Sequence, residues 1–128
     1  MGNKMHGDLL QFQKDRLGMF IHWGVYSMYG INEWCRRGER ISVEDYQFLI
    51  DNFNPDLFNP AEWARAARNA GMKYVVFTTK HHDGFCMWDT KFTDYKVTNS
   101  AFRRDILKEV VAAFRAEGLR IGRRLQPP

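Results

Sequence analysis

Apolar positions along the chain fall into three short unbroken runs separated by stretches with helix signals. The first run is LGMFI, Leu17 to Ile21. It is continuous rather than alternating, the pattern of a strand covered on both faces. The second, Met72 to Thr79, is rich in Val, Phe and Tyr and predicts another buried strand. The third, Leu119 to Gly122, starts a third apolar strand.

Helices fill the intervals. Ser42 to Ile50 reads as a short helix, with Ser42 as its cap and Asp45 three residues on. A linker with two prolines, NFNPDLFNP, follows. The next helix has Asn59 as cap, Pro60 at its first position and Glu62 completing the cap-plus-three pattern. Trp63, Ala66, Ala67 and Ala70 recur at helical spacing, and Gly71 supplies the stop. A third helix covers about 102–117, with Leu107, Val110, Val111 and Phe114 on one face. Strand, helices, strand, helix, strand is the rhythm of a parallel α/β protein.

In such folds, ligands bind beyond the C-terminal ends of strands. The first strand ends in His22-Trp23-Gly24 and the second in His81-His82-Asp83-Gly84-Phe85. Adjacent histidines in an extended segment point opposite ways, so both reach one ligand only if the chain bends, and Gly84 makes a bend easy. Glu33-Trp34 lies in the first long loop and Trp88 in the second. Indole faces stack on the apolar side of a sugar ring, while carboxylates and imidazoles bond its hydroxyls. The mixture points to a neutral polyhydroxylated ligand, with Trp88 as a further pocket wall. A glycosidase normally needs two carboxylates, and Glu33 and Asp83 are the candidates beside the clusters. Three histidines and Asp83 also offer metal ligands. However, HxH and HExxH spacings are absent and adjacent histidines cannot readily share an ion, so no metal is expected.

Composition narrows the classes. The chain of 128 residues suits one modest domain, and 45% hydrophobic with 27% charged residues reads as globular. The net charge of +4 comes partly from short arginine clusters at 36–40 and 120–124 that lack an aromatic or glycine frame, so no nucleic-acid partner is expected. Phosphate-loop and dinucleotide fingerprints are absent, and no cofactor is expected. The two cysteines, Cys35 and Cys86, make no framework and are expected to be reduced thiols of a cytoplasmic protein. The N-terminal residues show no secretion signal, and His6 stands where myristoylation wants Ser or Thr. No run approaches membrane-spanning length, so no membrane partner is expected.

RLGMFIHWGVYS with EW after it, KYVVFTTKHHDGFCMWDTKFTDY and RRDILKEVVAAFRAEGLRIG closely resemble the N-terminal part of the catalytic domain of the alpha-L-fucosidases, glycoside hydrolase family 29. The resemblance covers about residues 15–122. It implies an α/β fold, the first three strands of a (β/α)8 TIM-like barrel. Residues 1–14 would be an N-terminal extension and 123–128 a divergent tail. It implies retaining hydrolysis of terminal alpha-L-fucosides, with no cofactor or metal. His22, Glu33, Trp34, His81 and His82 match fucose-binding positions. The family's aspartate nucleophile and its acid/base carboxylate would lie beyond this chain. Residues 123–128, RRLQPP, put arginines where the family tends to continue with apolar or aromatic residues, and read as a truncation or frame change. Three parallel strands leave open edges, so a homo-oligomer or a complementing chain is expected. A fucose-binding module or an inert fragment is the alternative, and so is an oligomer that uses Glu33 or Asp83 as its own carboxylate.

Overall fold

The three apolar runs pair into one parallel sheet of order β1-β2-β3. In this computed structural model, which describes residues 2–126, β1 is Gly18–Ile21, β2 is Tyr74–Lys80 and β3 is Arg120–Leu125. Gly18 faces Tyr74 across the β1–β2 ladder. A Cβ on Gly18 would fall 2.3 Å from the Tyr74 ring, so a glycine permits this close approach. α1 (Gly2–Asp15) precedes β1, α2 (Cys35–Gly38), α3 (Val43–Asp51) and α4 (Pro60–Asn69) lie between β1 and β2, and α5 (Ile106–Ala116) lies between β2 and β3. The alternation is that of the α/β barrel fragment expected from the sequence.

Local chemistry sets the helix ends. Ser42 Oγ accepts from the Asp45 backbone N–H at 3.0 Å and starts α3. Asn59 Oδ1 accepts from Glu62 N–H at 3.3 Å and Pro60 opens α4. Asp105 caps α5 through Lys108 N–H at 2.9 Å, so this helix begins later than its apolar spacing suggests. The N-terminal extension is helical.

Burial corrects two expectations. β2 is the central strand and is largely buried, but β1 lies at an edge and leaves Phe20 51% exposed. An unbroken apolar run does not distinguish an edge strand from a central one. On α4 the core-facing alanines are Ala64 and Ala67, while Ala66 and Ala70 face solvent. β3 starts in the expected run and continues to Leu125. It pairs Phe77 with Arg123 and Thr78 with Arg124, because ladder bonds are backbone bonds that an edge arginine does not interrupt.

The core lies between the sheet and α4–α5. Val75 and Phe77 from β2 pack with Ala67, Ile106, Val110 and Phe114 in one buried cluster. Phe114 is fully buried and Phe92 almost fully exposed. Phe114→Ala is expected to destabilise the chain by about 3–5 kcal/mol in urea unfolding, and Phe92→Ala by less than about 0.5 kcal/mol. Equal effects of the two would contradict this core.

Candidate functional site

The chain turns back on itself directly after β2. Met87 N–H donates to Thr79 O at 2.9 Å, and Lys80 bridges Cys86 in antiparallel fashion. His81 to Phe85 form the tip of this return. Gly84 sits at φ 80° and its N–H donates to His81 O at 2.9 Å, a left-handed turn position that favours glycine. The register against β3 also shifts between Thr78 and Lys80. These features supply the bend that lets two adjacent histidines serve one site.

Asp83 locks the tip from beneath. It is buried, and its carboxylate accepts from Tyr46 Oη of α3 at 2.6 Å and from Phe85 N–H at 3.1 Å. Arg36 of α2 donates to the Asp83 carbonyl at 3.1 Å and lies over the Tyr46 ring. One residue therefore ties the tip to α3 and to the short helix that follows Glu33-Trp34. Burial pushes the Asp83 carboxyl up, opposed by the bonds from Tyr46 and Phe85 and by the Arg36 charge. Burial, then Asp83 itself, drives the Tyr46 phenol strongly upward, so it stays a donor.

Above that lock the expected residues converge. The His22 and His81 rings are 4.8 Å apart, as are those of His81 and His82. Trp34 stacks on His82 at 4.1 Å and meets His81 edge-on at 5.9 Å. One donor atom each from His22, Glu33 and His81 lies within 4.8 Å of the other two. His22, Tyr26, Asn32 and Glu33 line an open cleft of about 450 Å³. His22 is exposed, Glu33 half-buried and Trp34 44% exposed, whereas His81 is only 2% exposed.

Charge fits hydroxyl recognition. Burial, then the His22 and His82 imidazoles, push His81 down to about 4, so it is neutral near pH 7. A neutral imidazole has one donor and one acceptor nitrogen. The Nδ1 of His81 is buried without a partner. Hydrogen bonding to its own backbone holds Glu33 below the usual carboxylate range, and His22 and His81 add to this. Glu33 is thus an acceptor for hydroxyls.

Two candidates stand elsewhere. Asp83 is spent on Tyr46 and Phe85 below the tip and does not present a free carboxylate to the cleft. Trp88 lines a separate cleft with Thr79, Leu107, Arg123 and Leu125, so it does not wall the one beside His22. Both lie close in sequence to the histidines, but the return of the chain at Gly84 carries them off. Sequence reasoning did not single out Tyr26. Its ring is 5.8 Å from His22 and 5.6 Å from His81, and its hydroxyl is buried without a partner. It also missed Arg124, whose charge acts on Glu33 and His81 from β3. The position of Tyr26 two residues after HWG was the one available signal.

Tyr46→Phe leaves one Asp83 oxygen buried without its donor, and thermal unfolding is expected to show a loss of about 1–3 kcal/mol. An unchanged melt would remove Asp83 from its role as the lock. Because the folded chain holds His81 below the ordinary histidine value of about 6.5, His81 contributes stability that is full above that value. The contribution falls as pH drops toward 4. Nitrogen-detected NMR of the imidazoles is expected to find His81 neutral at pH 5.5; a midpoint near 6.5 would contradict its burial.

Comparison with known proteins accounts for this arrangement. The profile of the alpha-L-fucosidase family matches residues 8–125. The chain is 55% identical to alpha-L-fucosidase isoenzyme 1 from Paenibacillus thiaminolyticus, with a TM-score of 0.86 over 88% of this chain and 27% of that one. It is 39% identical to a Bacteroides thetaiotaomicron alpha-L-fucosidase of family GH29, solved as a covalent intermediate trapped with 2-fluoro-fucosyl fluoride. There the TM-score is 0.83 over 88% of this chain and 28% of that one. Alpha-L-fucosidase 1 of Arabidopsis thaliana is 33% identical over 121 residues, covering 92% of this chain and 22% of the plant protein. The chain therefore spans about a quarter of the length of the relatives it matches. By profile, sequence and fold, it belongs to the alpha-L-fucosidase family.

Proposed function

We propose that these residues form the sugar-holding part of an alpha-L-fucosidase active site, which works on terminal alpha-L-fucosides with retention of configuration. The observation that carries this reading is the convergence of His22, Glu33, Trp34, His81 and His82 from three separate segments at the strand ends, beside a cleft that His22 and Glu33 line. His22, His81, His82 and Glu33 bond the hydroxyls, and Trp34 walls the pocket. The covalent intermediate trapped in the Bacteroides relative supports a nucleophilic route. The nucleophile and the acid/base carboxylate come from outside these 128 residues. Glu33 is held in hydroxyl recognition and Asp83 in the lock, so neither is assigned those roles. Binding and orientation are the share of catalysis that falls to this segment.

The outer edges of β1 and β3 support a second element of the proposal. Exposed Phe20 and Leu125 lie on those edge strands. Further strands cover them, through self-association or a complementing chain. A cytoplasmic location is supported by the free, buried thiols of Cys35 and Cys86. Among the described residues no helix is long and apolar enough to cross a membrane.

Titration of the chain with L-fucose, followed by NMR, tests the sugar assignment. Shifts are expected at Trp34 and at the His22, His81 and His82 rings, saturating in the millimolar range. His22→Ala is expected to weaken binding at least tenfold, whereas Trp88→Ala leaves it unchanged. Fucose that moves none of these signals at high concentration would overturn the assignment.

A further inference from the structure

We propose that His22, Glu33 and His81 also form a site for a borderline-soft divalent cation such as Zn²⁺, which competes with a neutral ligand for the cleft. The geometry rests on three donors from three segments: the end of β1, the loop before α2 and the tip after β2. One donor atom of each lies within 4.8 Å of the other two. Ligand atoms around a tetrahedral zinc at 2.0–2.2 Å lie about 3.4 Å apart. The trio therefore has up to about 1.4 Å to close. That closure falls on the exposed His22 and half-buried Glu33, whose side chains have room to move. Two imidazoles and one carboxylate are a donor set that zinc accepts with its fourth position open.

A second observation concerns one member of the trio. His81 is 2% exposed and its Nδ1 has no hydrogen-bond partner. A buried polar nitrogen without a partner is costly, and a ligand would relieve that cost. The trio also answers the objection raised by the sequence. Adjacent His81 and His82 need not share an ion, because His22 rather than His82 groups with Glu33 and His81. Asp83 is excluded by its bonds to Tyr46 and Phe85. One group opposes the cation. The Arg124 charge acts on both Glu33 and His81. Removing it should tighten the site.

Calorimetric titration of the whole 128-residue chain with zinc chloride at pH 7.5 tests the proposal. One ion per chain is expected, with affinity at least tenfold weaker in His22→Ala and in Glu33→Gln, and severalfold tighter in Arg124→Ala. Magnesium is expected to give no signal, since it prefers an all-oxygen shell. Circular dichroism in the presence of chelator checks that each variant keeps its fold; His22 and Glu33 lie outside the core, so both are expected to pass. Zinc is also expected to raise the apparent fucose dissociation constant. Zinc binding that both substitutions leave unchanged, or no binding up to millimolar zinc, would overturn the site. Zinc that binds the trio while fucose alone moves no signal would uphold the cation site and reject only the sugar assignment.

Discussion

The buried bond between Tyr46 and Asp83 is the constraint on which the site depends. It joins α3 to the turn after β2 in a place that water does not reach. Asp83 receives a second bond from Phe85 and, through its carbonyl, a third from Arg36. The loop that carries Glu33 and Trp34 and the tip that carries His81 and His82 are therefore anchored to the same residue. Without that anchor, two polar loops would have to meet at the end of the sheet on their own conformational entropy. A buried carboxyl is costly when unpaired, and here Tyr46 of α3 and the Phe85 N–H of its own turn satisfy it.

The placement of polar groups follows from this division of labour. Asp83 acts below the surface through its bonds to Tyr46 and Phe85. His22, Glu33 and Trp34 stay accessible above it, and neutral His81 lies between them. Near neutral pH the buried His81 imidazole is neutral and the Glu33 carboxyl is ionised, charge states that suit the proposed hydroxyl recognition. The same convergence of nitrogen and oxygen donors that suits a sugar also suits a transition cation.

Much of this was legible in the sequence, and the misses have physical causes. The two capped helices α3 and α4 start where Ser42 and Asn59 place them, because capping is a local interaction. Both strand-end clusters were recognisable, because a polar aromatic cluster after an apolar run has few structural explanations. Sequence separation misled in the cases of Asp83 and Trp88. Asp83 is next to His82 yet points into the core, and Trp88 is six residues past His82 yet lines a different cleft. Both outcomes are set by the reversal at Gly84 and by the long-range bond to Tyr46. Tyr26 and Arg124 were missed for the same reason, since only tertiary packing brings them beside His22, His81 and Glu33. The exposure of Phe20 depends on which neighbour β1 has, and composition does not encode that.

The central claim is that this segment supplies recognition and other residues supply the chemistry. The most direct measurement is hydrolysis of a chromogenic alpha-L-fucoside by the purified chain, followed across a sizing column. The account predicts no turnover in any protein peak. Turnover that tracks a peak and survives in Glu33→Gln and Asp83→Asn separately would show a working catalytic pair within these residues and would contradict it.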